Sequence, residues 1–277
     1  MENLEKSISA PSSADSVLKR LNVNVIGAKK PPILFINGFN CNQHIWNYLT
    51  PALARHYQLV FFDQIGTGDS DVRTYDAQRY TALTSYAQDV VAVCQALDLR
   101  GAVLVGHSIG AMIGLLAAEQ APQHFAKVVL MAASPYYINE PGYYGGFERA
   151  DLLALLADMD RNYQSWATSF ATLLLGPEQP ASLGYELAGY FCQADPTIAK
   201  QFARIGFLTD SRPDLPRLHL PTLLLQCSED AAVPDEIDAY LLAHLPQAQL
   251  VKLHTTGHCP HLSAPFEVVA ALREFIG

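Results

Sequence analysis

Three side chains in this sequence have the types and the order for acyl transfer through serine. Ser108 lies in Gly106-His107-Ser108-Ile109-Gly110, a G-x-S-x-G. The residues before it, 102–106, read as a strand, and those after it, 109–119, as an Ala/Leu-rich helix. A turn that tight admits only glycine on either side and pushes the hydroxyl out at the edge of a sheet. A serine hydroxyl is a poor nucleophile near neutral pH and needs a base, which needs an orienting acid. Asp230 follows the apolar run 222–226, and its neighbour Glu229 is the rival acid. His258 follows Gly257 after the run 249–253, with His254 and His261 as competitors. Each of the three thus stands in a loop at a strand's carboxyl end, where open α/β sheets place their ligands.

The same chemistry requires donors for a developing oxyanion, each worth ~2.7–4 kcal/mol. The amide of Ile109, at a helix N-terminus, is one. The loop Asn37-Gly38-Phe39-Asn40-Cys41 supplies the other from the Phe39 amide. The segment Asp63-Gln64-Ile65-Gly66-Thr67-Gly68 lacks G-x-G-x-x-G spacing and reads as a turn rather than a nucleotide loop.

Six apolar runs, 33–36, 58–62, 102–106, 127–131, 222–226 and 249–253, alternate with helical patterns, including 84–97 and a final helix after Pro265. That alternation predicts an α/β fold with a mostly parallel central sheet and helices on both faces. Residues 139–207 interrupt it with four helices: 149–161, 162–175, 182–192 and one beginning at Asp195-Pro196. They read as a cap inserted between strands, with the core at 20–138 and 208–277 and a loose extension at 1–19.

Of the 277 residues, 50% are apolar and 16% charged, which excludes a disordered chain. The formal net charge of −9 disfavours nucleic acid and anionic membrane as partners. Five scattered cysteines without a C-x-x-C argue against a disulfide framework or structural zinc and point to a reducing compartment. The first residues lack the apolar core of a secretory signal, so a cytoplasmic location is expected.

Several motifs are more specific than the triad: Gly38-Phe39 with Gln43 and Trp46, Arg79-Tyr80 with Tyr86-Ala87-Gln88-Asp89, Tyr144-Gly145-Gly146-Phe147-Glu148, and Gly257-His258-Cys259-Pro260-His261. On these, from about Leu21 to the C-terminus, the chain resembles the α/β-hydrolases related to the bacterial stress-response regulator RsbQ and the plant karrikin and strigolactone receptors. Its Gln226-Cys227 pair and Cys-Pro-His ending lean towards the RsbQ side. The resemblance implies a Ser108–His258–Asp230 triad, an oxyanion hole from Phe39 and Ile109, and a V-shaped cap over a closed apolar pocket. Tyr137, Phe147, Leu155, Trp166, Phe170, Phe191 and Phe207 match the family's pocket. Asn37 stands where many members carry His and Asn40 where they carry Gly, which would put an amide at the pocket floor, able to hydrogen-bond a polar ligand group.

The resulting expectation is a serine hydrolase for a small apolar ester or lactone, with no metal or organic cofactor. The alternative is a ligand sensor with slow or single-turnover hydrolysis, whose cap engages a signalling protein.

Overall fold

The computed structural model describes residues 13–277, Lys29 excepted. One sheet of seven strands forms its centre: β1 (Asn24–Ile26), β2 (Pro32–Ile36), β3 (Gln58–Phe61), β4 (Ala102–His107), β5 (Phe125–Met131), β6 (Thr222–Glu229) and β7 (Ala248–Thr256). Their spatial order is β1-β3-β2-β4-β5-β6-β7, with β1 antiparallel to β3 and every other pairing parallel. Every residue of β4 is buried, as are the last four of β2 and of β5. Burial at successive positions requires cover on both faces, which accounts for their unbroken Val, Leu and Ile runs.

In chain order the helices are α1 (Ser13–Arg20), α2 (Thr50–Leu53), α3 (Leu83–Ala96), α4 (Ile109–Gln120), α5 (Arg149–Arg161), α6 (Tyr163–Leu175), α7 (Ala181–Gln193), α8 (Pro196–Leu208), α9 (Glu236–His244), α10 (Pro260–Ser263) and α11 (Pro265–Ile276). Residues 109–118 of α4 are all buried, so this helix is apolar on every side. A Cβ on Gly114 would lie 2.4 Å from Leu104 Cδ2, which fixes how closely α4 approaches the sheet. Helices α5 to α8 follow one another between β5 and β6. Asn162 caps α6 through a hydrogen bond from the Ser165 amide, and Asp195 caps α8 by accepting from Thr197 and Ile198.

Three features depart from the sequence expectation. Residues 13–20 are not a loose extension but α1, while residues 1–12 lie outside the described residues. Val17 packs against the core, and the Arg20 guanidinium donates to both carboxylate oxygens of Asp89, at 2.7 and 3.3 Å. Strand β1 was not expected, because its three residues are exposed and carry no burial pattern. Strands β6 and β7 run on to Glu229 and Thr256, paired across a bulge, where polar side chains hide the strand signal. All five cysteines are unpaired, and no helix among the described residues is long and apolar enough to cross a membrane.

Asp89 is 3% exposed and also accepts from Arg79 and from the Tyr80 hydroxyl. Arg20→Met should therefore destabilise by about 2 kcal/mol, less than the ~3–5 kcal/mol of a wholly unpaired buried charge. Calorimetry should show Tm lower by about 5 °C. An unchanged Tm would mean that α1 is not docked through this pair.

Candidate active site

Ser108 adopts φ 56°, ψ −125°, a left-handed conformation between the end of β4 and the first turn of α4. Two glycines make that turn possible. A Cβ on Gly106 would lie 2.5 Å from the Gly110 carbonyl oxygen, and one on Gly110 would lie 2.3 Å from that of Asn37. The Ser108 amide donates to the Met131 carbonyl at 2.8 Å, locking the turn to β5.

Asp230 and His258 reach the serine from the ends of β6 and β7, the last two strands. His258 Nε2 lies 2.7 Å from Ser108 Oγ, and His258 Nδ1 lies 2.7 Å from Asp230 Oδ2. Both side chains are 3% exposed. The other Asp230 oxygen accepts from the amides of Ala232 and Val233, which hold the carboxylate edge towards the imidazole. The His258 loop is clamped on two sides. Its amide donates to the Leu174 carbonyl of α6 at 2.6 Å, and its carbonyl accepts from His107 Nε2 at 2.7 Å. Gly257, at φ 87°, sits so close to α6 that a Cβ would lie 2.2 Å from the Leu175 oxygen.

The rival residues are elsewhere. Glu229 is the exposed last residue of β6 and contributes its carbonyl to the Gly257 amide. The His254 side chain is 93% exposed, beside Glu267. His261 is fully buried against the rings of Trp46 and His107, with neither nitrogen hydrogen-bonded.

Ile109 opens α4, so its amide has no acceptor within the helix. The Phe39 amide belongs to the loop after β2, and neither amide donates to a backbone carbonyl among the described residues outside its own element. Over this corner lies an apolar cavity. Tyr137, Phe147, Leu155, Phe170 and Phe207 line it together with Phe39, Ser108 and His258. Trp166 and Phe191 do not. Trp166 stacks behind Phe170 at 4.7 Å, and Phe191 meets the Phe39 ring edge-on at 5.6 Å. Leu152, Leu174 and Ala232 also line it and were not anticipated; only α5 and α6 helical spacing from Leu155 and Phe170 could have suggested the first two. The space between these side chains is about 20 Å³, room for a single water. A groove on the outer side of α5 and α6, about 380 Å³, shares Leu155 and Phe170 with the cavity.

Asn37 and Asn40 do not face this cavity, against expectation. Asn37 donates to the Phe62 carbonyl and accepts from the Trp46 indole, and Asn40 donates to the Tyr163 hydroxyl. Burial has already committed both amides. Tyr137 is the one polar lining side chain besides Ser108 and His258. Burial pushes its phenol up to about 12, so it stays protonated.

Behind Ser108 and His258, His107, Cys259 and His261 bring donor atoms within 4.8 Å of one another, the one group among the described residues with the donor set for a metal ion. Burial raises the Cys259 thiol well above its ordinary range, so metal binding there would have to displace its proton. Burial also pushes His107 down to about 3 and His261 well below 6.5. Both are neutral in the fold, whereas the unfolded chain protonates them below about pH 6.5. Their stability contribution is thus complete above pH 6.5 and declines as pH falls towards 3. Each such group tilts stability by ~1.4 kcal/mol per pH unit in that window. In urea titrations between pH 6 and 4.5, the wild type should lose stability more steeply than His261→Gln by about that slope. Parallel slopes would overturn the assignment.

The chain matches the alpha/beta hydrolase family over residues 33–272. It is 35% identical to Karrikin insensitive 2 receptor CA of Petunia hybrida, across 92% of this chain and 95% of that protein. It is 32% identical to a strigolactone esterase of Arabidopsis thaliana, across 94% and 98%. Among solved structures, a hydrolase from Oleispira antarctica superposes with a TM-score of 0.93 at 34% identity, over 95% of this chain and 97% of that one. With the sheet order, the serine turn and these likenesses together, the chain belongs to the alpha/beta hydrolase family.

Proposed function

We propose that this protein is a serine hydrolase that cleaves a small apolar ester or lactone with Ser108, His258 and Asp230. The observation that carries the reading is the relay from Ser108 Oγ through His258 to Asp230, with 2.7 Å at both links, beneath an apolar cavity. In this mechanism His258 Nε2 takes the Ser108 proton as Oγ bonds to the substrate carbonyl carbon. The carbonyl π electrons move to oxygen, and the amides of Phe39 and Ile109 hold that oxyanion. Collapse breaks the bond to the leaving oxygen, which receives the proton from His258. Water then repeats the sequence on the acyl-Ser108 ester, with His258 again as base. Asp230 accepts from Nδ1–H throughout and fixes the tautomer that leaves Nε2 free.

Residues 139–207 serve as the cap, on a core formed by 20–138 and 208–277. The aromatic rings that α6, α7 and α8 press around Phe39, with centroids 5.3–6.3 Å away, support this division. Because the cavity now holds about one water, an ester enters only when these side chains or helices part. The groove shared through Leu155 and Phe170 is the proposed way in. A cytoplasmic site of action is consistent with five free thiols.

The near-filled cavity also favours a second reading, a ligand sensor whose cap is displaced on binding and engages a signalling protein. One of the similar proteins is named a receptor and another an esterase. Sustained multiple turnover on an ester favours the enzyme, and a stoichiometric burst favours the sensor.

Ser108→Ala should abolish hydrolysis of a nitrophenyl ester while circular dichroism stays unchanged; retained turnover would remove the nucleophile assignment. Asp230→Asn should cost about 10⁴ in kcat, as in the serine-protease triad. Glu229→Gln should leave kcat within about threefold, since its side chain is exposed. A larger loss from Glu229→Gln than from Asp230→Asn would reverse the choice of acid.

A further inference from the structure

We propose that Asn40 is a positioning residue that ties the oxyanion loop to the cap, so that the Phe39 amide is in place only when α6 and α7 are seated. This inference rests on the serine-hydrolase reading above. Residues Gly38 to Cys41 form a turn closed by the Cys41 amide on the Gly38 carbonyl, at 3.3 Å. Asn40 is its third residue and has φ 50°, the left-handed region where glycine is the unstrained choice. It is 1% exposed. A side chain retained at such a position must return something for the strain.

What it returns is a strut. Asn40 Nδ2 donates to the Tyr163 hydroxyl at 3.0 Å, and that hydroxyl donates to the Phe191 carbonyl at 2.6 Å. Tyr163 is the first residue of α6, and Phe191 lies in the last turn of α7. The Phe191 carbonyl also accepts the Ala194 amide at 3.3 Å, so the Tyr163 hydroxyl adds a second, shorter bond at the end of α7. One chain of hydrogen bonds therefore runs from the residue after Phe39 to the ends of two cap helices. It is buried throughout, where hydrogen bonds are strongest and hardest to replace by water. The Phe39 ring lies in contact with Trp166, Phe170 and Phe191 on the same two helices, so the loop is held by its ring and by its neighbour's amide. Neither Asn40 nor Tyr163 lines the cavity, so neither contacts substrate directly.

Asn40→Gly separates the strut from the turn, because glycine keeps the left-handed conformation without strain. For hydrolysis of nitrophenyl acetate, kcat should fall about 10-fold with KM unchanged, the signature of an interaction realised in the transition state. Tyr163→Phe should give a similar loss in kcat, and the double variant should be no worse than the weaker single, since both cut one chain. Amide exchange in α6 and α7 should quicken in each variant while Tm for Asn40→Gly stays within about 2 °C. Wild-type kcat in Asn40→Gly, a change confined to KM, or multiplicative losses in the double would each overturn the coupling. Ser108→Ala, assayed in parallel, separates this from the parent reading. If it is dead while Asn40→Gly is fully active, only the strut fails; if it is active, the nucleophile assignment itself fails.

Discussion

The site is organised around one tight turn. Ser108 can hold its left-handed conformation only because Gly106 and Gly110 let α4 begin directly against the end of β4 and the carbonyls of β2. A methyl group at either position would meet backbone oxygen at 2.5 Å or less, and backbone cannot step aside as a flexible side chain can. This closeness puts the start of α4 against the end of β2 and Asn37. It also makes β4 the central strand from which the remaining residues are placed. β5 carries the chain to Tyr137, β6 delivers Asp230, and β7 delivers His258, each at a carboxyl end. Parallel pairing aligns those ends, so three residues spread over 150 positions of the chain meet within hydrogen-bonding distance.

Helices α6 to α8 are attached to this corner by two different kinds of force. Most of the contact is aromatic burial around Phe39, which is large in area and weak in direction. Superposed on it are a few directed bonds: Leu174 to the His258 amide, and Asn40 through Tyr163 to Phe191. Apolar contact tolerates small sliding and rotation, whereas each hydrogen bond fixes one distance and one direction.

Behind the triad the structure accepts an unusual density of neutral titratable groups. His107, His261 and Cys259 are all buried without a charged partner. Their burial keeps them uncharged, so His258 lies beside neutral rings, one of which holds its carbonyl. The expected cost is a fold that loses stability in acid.

Most of the core was legible in the amino-acid sequence, because strands covered on both faces must be continuously apolar and βα turns must carry glycine. That Ser108, Asp230 and His258 would stand together could be read from residue type, order and the strand before each. α1 and β1 were not legible, since their placement depends on Arg20 meeting Asp89 and on pairing with β3, sixty-nine and about thirty-seven residues away. α9 was equally silent, a nine-residue helix with apolar residues spread around it rather than on one face. The polar ends of β6 and β7 concealed strand behind side chains that also suit loops. Helical spacing placed Trp166 and Phe170 on one helix but could not say that Phe170 lines the cavity and Trp166 packs behind it. The two asparagines show the division most clearly. Sequence determined that amides stand beside Gly38 and Phe39; only the tertiary structure decided that Trp46, Phe62 and Tyr163 would take them up. Residue type dictates what a group can bond to, and burial against distant segments dictates what it does bond to.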